Sequence, residues 1–202
     1  ANRAYVRANA EVRRILREHI RRRRKEFRES KSESQNGSRD LLTLMIEESG
    51  DSYSEDEMLG YLLNFMSAGH ETTASALTWA LYALTLHPEM QTRLREEITT
   101  ALLSDNPTYL ELEKLKFLNN FTKEVLRYYP PSLGTARQAG EDVQIEGIMI
   151  PKGTNLMIYP VIQHFNPNIW GPTVDKFDPD RFENLPKQAQ DPYALEAFSA
   201  GP

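Results

Sequence analysis

Ala68-Gly69-His70-Glu71-Thr72-Thr73 is the stretch on which the reading of this chain turns, and it lies in the middle of a segment running from Ser54 to His87. Ser54 with Glu57 three residues later has the form of a capping box, and Pro88 closes the segment, so it predicts one helix. About 33 residues at a rise of about 1.5 Å give roughly 50 Å, enough to cross a sizeable domain. Met58, Leu59, Leu62, Leu63, Phe65, Met66, Leu77, Trp79, Leu81, Tyr82 and Leu84 fall on all its faces. Apolarity all round predicts a helix buried along most of its length.

Into this rod the sequence puts a glycine, a carboxylate and two threonines, although glycine costs about 1 kcal/mol against alanine in a helix interior. Ala68 and Gly69 strip one face to the backbone, which lets something flat approach. Glu71 and Thr72 put a proton source beside it, and a mid-helix threonine can also bond back to the carbonyl four residues earlier and loosen the ladder. On the residues alone, a helix-packing notch with a buried, paired glutamate is the plainer reading. Two sharper readings fail. His70-Glu71-Thr72-Thr73-Ala74 begins like the zinc-protease signature His-Glu-x-x-His, but Ala74 stands at the second ligand position. A membrane span is long enough, yet Asn64, Ser67, His70, Glu71, Thr72, Thr73 and Ser75 crowd its centre.

The 202 residues can bury a core and suggest one domain or part of one. Net charge is -5 overall, but residues 1–30 hold 11 Lys or Arg against 4 Asp or Glu, so the basic excess is local. Residues 1–29 read as a helix, and Arg21-Arg22-Arg23-Arg24-Lys25 as its solvated end, favourable at the negative pole of the dipole. No aromatic interleaving or reading motif accompanies the run, so nucleic acid is not an expected partner. Within these residues no stretch reads as a signal or transit peptide or as an uninterrupted apolar 20-mer. The absence of cysteine excludes disulfides, thiolate ligands and a cysteine nucleophile within these residues.

Lys31 to Arg39 is a Ser, Asn and Gly-rich linker. Asp40 caps a short helix from Leu41 to about Ser49, and Gly50-Asp51 turns into the long helix. Glu89 to about Leu103 predicts an amphipathic helix with Met90, Leu94, Ile98 and Ala101 inward. After Asn106-Pro107, helix resumes near Tyr109 and runs, with an interruption, to Tyr129 before Pro130-Pro131. Within it Glu124 and Arg127 share a face at i and i+3. The same spacing recurs at Glu11 with Arg14 and at Glu18 with Arg21, so the pattern alone carries nothing. Phe121, Val125 and Leu126 mark the third copy for burial, whereas the first two sit in an arginine run.

From Leu133 the character changes to short strands: Val143-Gln144-Ile145, Ile148-Met149-Ile150 and Leu156-Met157-Ile158. Pro151-Lys152-Gly153 predicts the tight turn of a small hairpin, proline second and glycine fourth. Asn166-Pro167, Trp170-Gly171-Pro172, Asp178-Pro179-Asp180-Arg181-Phe182 and Asp191-Pro192 then punctuate a long meander, of the kind that wraps or supplies a site. His87 and His164 read as packing or capping residues.

Taken in order, these features resemble the cytochrome P450 family of haem-thiolate monooxygenases. Ala68 to Thr73 is similar to its central-helix motif Ala/Gly-Gly-x-Asp/Glu-Thr-Thr, Glu124-Val125-Leu126-Arg127 to its Glu-x-x-Arg helix, and Pro179-Asp180-Arg181-Phe182 to its Pro-x-Arg-Phe segment. Phe198-Ser199-Ala200-Gly201-Pro202 resembles the opening of the haem-binding loop Phe-x-x-Gly-x-Arg-x-Cys, whose cysteine would fall third after Pro202. The resemblance implies a mainly α fold with a small β-sheet, and a partial domain over 1–202 ending just before the iron ligand. Its parts would be a basic helix (1–30), linker and short helix (31–53), central helix (54–87), helices with Glu-x-x-Arg (89–129), a small sheet (133–165), and a meander with the start of the haem-binding loop (166–202). Any membrane anchor would belong to a preceding part.

The resemblance also assigns roles. Glu71 and Thr72 would relay protons to dioxygen bound at haem b. Ala68 and Gly69 would let haem and oxygen lie against the helix, Arg137 would hold a haem propionate, and Phe198 and Gly201 would border the haem near its ligand. Glu124, Arg127 and Arg181 would form a buried structural network. Phe65, Met66, Ser132, Leu133, Gly134, Thr135 and Ala136 would line a cavity for a small apolar organic substrate. Dioxygen would be the co-substrate, electrons would come from NADPH through a reductase or another redox partner, and the place would be the cytoplasmic face of the endoplasmic reticulum membrane. The 202 residues alone, lacking the thiolate, are expected to be inactive. The competing reading is a cysteine-free relative serving as a binding or interaction module.

Overall fold

A computed structural model describes residues 2–29, 40–49, 52–102, 104 and 106–199. The linker of residues 31–39, the Gly50-Asp51 turn and Gly201 lie outside them. The fold is mainly α with two small two-stranded sheets, and its contacts divide it into two compact units, residues 1–71 and residues 72–202.

In the first unit, α1 (Asn2–Glu29), α2 (Leu41–Ser49) and the beginning of α3 (Glu55–Leu86) enclose Ile20, Leu42, Ile46, Met58 and Leu59. Both later helices start where their caps dictate. Asp40 Oδ1 accepts from the Thr43 amide at 2.7 Å and from its hydroxyl at 2.8 Å, and these bonds hold the Asp40 carboxyl below its ordinary range. Ser54 and Glu57 cap reciprocally, the Ser54 amide donating to Glu57 at 2.8 Å and the Glu57 amide to Ser54 Oγ at 3.2 Å.

The arginine run departs from a purely solvated helix end. Arg21 grips Glu55 with two bonds of 2.7 and 2.8 Å, Arg17 reaches Asp56 at 2.9 Å, Arg23 pairs with Asp40, and Arg24 donates to the Tyr53 carbonyl. Glu55 and Asp56 belong to the acidic first turn of α3, so the run and that turn attract each other as opposite charges. Exposed pairs of this kind align helices more than they stabilise them.

In the second unit, α4 (Pro88–Ala101) and α6 (Lys116–Tyr128) pack with the end of α3 around Ala83, Leu94, Phe117, Phe121, Val125 and Phe177. Leu94 alone of the four expected inward residues of α4 is fully buried; Ile98 and Ala101 are exposed. Between these helices, α5 (Tyr109–Glu113) is a single turn capped by Thr108 and Glu111. Leu115 at the N-cap of α6 supplies no side-chain acceptor. Glu97 on α4 substitutes for one, its two oxygens accepting from the Phe117 and Leu118 amides at 2.8 and 2.9 Å.

The strand pairing corrects the expected hairpin. β1 (Thr135–Gln138) pairs antiparallel with β4 (Asn155–Ile158), Arg137 opposite Leu156, while β2 (Val143–Ile145) pairs with β3 (Ile148–Ile150). The tight hairpin turn is therefore Glu146-Gly147, with φ of 48° and 81°, the left-handed pair that a two-residue loop requires. Pro151 to Thr154 does turn, with the Thr154 amide on the Pro151 carbonyl at 3.2 Å and Gly153 at φ 85°, so proline stands first and glycine third. It delivers the chain from one sheet to the other. Two short helices were unforeseen in the sequence: α7 (Pro160–His164) closes the stretch expected to be sheet, and α8 (Pro167–Trp170) opens the meander, which also has 3₁₀ turns at Pro179–Glu183 and Lys187–Gln190. Trp170, Val174, Ala189 and Ala194 form its core.

The central helix is the largest correction. Met58, Leu59 and Ala83 are buried, but Phe65, Met66, Leu77, Trp79, Leu81 and Tyr82 are exposed, Leu81 by 66%. Each unit's core takes the helix turns at its own end; Trp79 stacks on Tyr129 at 4.7 Å, while Phe65, Met66, Leu77 and Leu81 stay about half or more exposed. All-round apolarity reports which faces avoid water, not which segment shields them.

Candidate functional site

Ala68 to Thr73 is helical without a break, and all six residues are exposed. A Cβ placed on Gly69 meets nothing within 4 Å among the described residues. Gly69 therefore leaves room beside the backbone with respect to the described residues. The threonine that bonds back to the helix carbonyl four residues earlier, at 2.8 Å, is Thr78, on Ala74. Phe65 and Met66 are half exposed one turn before Gly69.

In the second unit the charged residues of α6 and the meander come together. Arg127 Nε and Nη2 each donate to one oxygen of Glu124 at 2.8 Å, a bidentate pair. Its Nη1 donates to the carbonyls of His164 at 2.8 Å and Val174 at 3.0 Å, and Nη2 also reaches the Lys176 carbonyl at 3.2 Å. All five guanidinium N–H groups thus have acceptors. Arg181 adds Nε to Glu124 at 3.0 Å and Nη2 to the Thr173 and Lys176 carbonyls at 3.0 and 2.8 Å. The Asp178 amide donates to Glu124 as well, at 2.8 Å. Glu124 and Arg127 are wholly buried and Arg181 nearly so. One carboxylate faces two cations, and the excess positive charge is met by backbone carbonyls of residues 164–176. The result fastens the meander to α6; it offers no open coordination to a ligand.

Beside it lies His164, buried, with both ring nitrogens lacking a hydrogen-bond partner. Burial first, then the Arg127 charge, pushes its imidazole down to about 4, so the ring is neutral at ordinary pH. Its backbone carbonyl, not its ring, joins the network.

Arg137, on β1, is exposed. Nη1 donates to Thr135 Oγ1 at 2.9 Å and to the Ala136 carbonyl at 3.0 Å, and Nη2 to Ser199 Oγ at 3.2 Å. No carboxylate among the described residues lies within ion-pair distance of it. Phe198, next to Ser199, is 86% exposed. Of the expected cavity residues, Ser132, Leu133 and Ala136 are exposed, and Gly134 has a structural reason to be glycine: an added Cβ would lie 2.7 Å from the Ile158 carbonyl oxygen. Sequence reasoning missed Thr135 and Ser199 as partners of Arg137. Recognising β1 would have exposed the first, because residues i and i+2 of a strand share a face.

These features test the fit to a haem. A planar guanidinium with neutral partners suits a carboxylate of the macrocycle, and the open side of Gly69 suits a flat ligand. No thiolate ligand is available, since the 202 residues contain no cysteine, and no cluster of His, Asp or Glu suited to a metal occurs among the described residues.

Comparison with known proteins agrees with the fold and the order of motifs. The family model for cytochrome P450 matches residues 1–202. The chain is 36% identical to cytochrome P450 monooxygenase sphH of Aspergillus fumigatus, covering 86% of this chain and 34% of that protein. It is 38% identical to cytochrome P450 4F5 of Rattus norvegicus (88% and 35%) and 38% identical to cytochrome P450 3A13 of Mus musculus (81% and 34%). It thus spans about a third of the length of these curated relatives. The chain belongs to the cytochrome P450 family.

Proposed function

We propose that the protein carrying this chain is a haem-thiolate monooxygenase: it transfers one atom of dioxygen to a small apolar organic substrate and reduces the other to water. Two electrons come from NADPH through a reductase. Family membership over the full 202 residues, with all three motifs present in order, is the observation that carries this reading. Haem b, when bound, supplies the oxygen-activating redox chemistry.

The chain's own residues have separable tasks. Gly69 and Ala68 leave the backbone of α3 open to a flat ligand. Glu71 holds a proton at its carboxylate and Thr72 passes it on through Oγ1, so that delivery is directed rather than left to bulk water. Arg137 binds a cofactor carboxylate, and Phe198 borders the cofactor on the side of its iron ligand. Phe65, Met66, Leu133 and Ala136 supply apolar side chains to the substrate side, with Ser132 and Gly134 beside them, and this favours an apolar substrate. No helix among the described residues is long and apolar enough to cross a membrane; the proposed place is the cytoplasmic face of the endoplasmic reticulum membrane, by anchorage elsewhere in the protein.

The test is coupling in the full-length protein. Thr72→Ala should lower product formed per NADPH and raise peroxide while substrate affinity changes little, because Thr72 acts after oxygen binds. Glu71→Gln should act in the same direction with haem content preserved. Unchanged ratios in both variants would remove the proton-relay roles, and no turnover in the wild type with any redox partner would favour the binding-module reading.

A further inference from the structure

Arg137 is exposed, yet its guanidinium is held. Thr135 reaches it along one face of β1, and Ser199 reaches it from 62 residues away. Ser199 also adopts φ of +64°, a left-handed conformation that disfavours a residue with a Cβ, while its hydroxyl accepts from Arg137. Both hydroxyls are neutral, so they orient the cation without satisfying its charge. The bonds formed by Nη1 and Nη2 leave Nε–H and the second N–H of Nη2 without an acceptor among the described residues. Those are the same two nitrogens with which Arg127 takes the Glu124 carboxylate bidentately.

We infer that Thr135 and Ser199 are positioning residues that hold the Arg137 guanidinium with its Nε/Nη2 edge open to a carboxylate of the cofactor, which rests on the proposed role of Arg137 in binding that carboxylate. A free arginine loses rotamer freedom when it binds; one already held by two hydroxyls loses less, and the difference appears as slower release of the ligand. Thr135 therefore acts through Arg137 and not as a wall of the substrate cavity.

The test is the rate at which the full-length, haem-loaded protein gives up haem to excess apomyoglobin, with thermal unfolding followed in parallel. Arg137→Ala should speed release about 10- to 100-fold, the loss of a charge-assisted bond, and Thr135→Val or Ser199→Ala about 2- to 10-fold, the loss of a neutral one. Thr135→Ser, which keeps the acceptor, should restore the wild-type rate. In an Arg137→Ala background, Thr135→Val should add nothing. If Arg137→Ala speeds release but Thr135→Val does not, or if Thr135→Val acts equally without Arg137, the positioning role is overturned and the carboxylate reading of Arg137 stands. If Arg137→Ala leaves the rate unchanged, the carboxylate reading falls, and the inference with it.

Discussion

Glu11 with Arg14 on α1 and Glu124 with Arg127 on α6 are the same local object. In each, Nε and Nη2 of the arginine donate to the two carboxylate oxygens of a glutamate three residues earlier, at 2.9 and 2.6 Å in the first and 2.8 and 2.8 Å in the second. The side chains are more than half exposed in the first pair and wholly buried in the second. Arg14 shares itself with Glu18, whereas Arg127 has every N–H committed to Glu124 or to carbonyls of the meander. The remaining copy, Glu18 and Arg21, shows a different outcome, since Arg21 turns to Glu55 on another helix. Identical spacing therefore yields a solvated pair, a helix-to-helix link and a structural keystone. Surroundings, not the motif, decide which.

The largest effect should come from the buried pair. Glu124→Gln or Arg127→Leu in the full-length protein should cost about 3 to 5 kcal/mol, because each strands a desolvated charge. Denaturant unfolding with a matched wild type measures it, and protease cleavage within residues 173–183 should rise because Arg127 and Arg181 hold those carbonyls. Removing both charged partners together should cost less than the sum of the single changes. A cost within experimental error for Glu124→Gln would erase the distinction between the two copies.

His164 sharpens the comparison from the side of pH. Its folded-state pKa of about 4 lies below the ordinary 6.5, so the folded state resists protonation that the unfolded state accepts. The stability is fully present above about pH 6.5 and is lost as pH falls toward about 4, to an extent of up to about 3 kcal/mol at 1.36 kcal/mol per pKa unit. His164→Leu removes the titrating ring and, with it, two unpartnered polar atoms. Its stability curve should converge with or rise above the wild type between pH 7 and 4.5. Curves that stay parallel would show that the ring does not titrate in this environment.

The helices were legible because their ends carry chemistry: Ser54 with Glu57, Asp40, and Pro88 each write a boundary into one residue. Three of the four strands were legible as well, Val143–Ile145 and Ile148–Ile150 with their observed bounds, but their pairing was not. Thr135 to Gln138 has no apolar alternation to mark a strand, and three-residue strands such as Val143–Ile145 hold too little pattern to fix a partner. Glu146 gave no turn signal, since asparagine and aspartate are the usual partners of a following glycine at positive φ; Gly147 alone was insufficient. At the candidate site, the residues carried by consecutive motifs could be named in advance. The contacts of Arg137 could not, because Ser199 lies on a distant loop and Thr135 on an unrecognised strand. Cover for Phe65, Met66 and Leu81 depends on what packs there, which a helical wheel does not encode.

An intermediate case lies between the two copies. Glu97 is part-buried and holds two amides of α6 that have no local cap, so Glu97→Ala should cost about 1 kcal/mol, with the loss concentrated at Phe117 and Leu118. Hydrogen exchange at those two amides reads it directly, and unchanged protection would reassign the capping to water.

The smallest effect should belong to Arg14→Leu. Exposed ion pairs gain little Coulomb energy in water and give back side-chain entropy, so the melting midpoint should hardly move. Salt separates the two copies further. At about 1 M the screening length falls to roughly 3 Å, and whatever Arg14 contributes at low salt should vanish, because Glu11 and Glu18 are bathed in the same counterions. The cost of Glu124→Gln should persist at that salt, since no ion reaches a carboxylate with no exposed surface. Unfolding of wild type, Arg14→Leu and Glu124→Gln in dilute and concentrated NaCl decides it. If the two substitutions lost their effects together as salt rose, the α6 pair would be solvated too, and the contrast between the copies would reduce to sequence context alone.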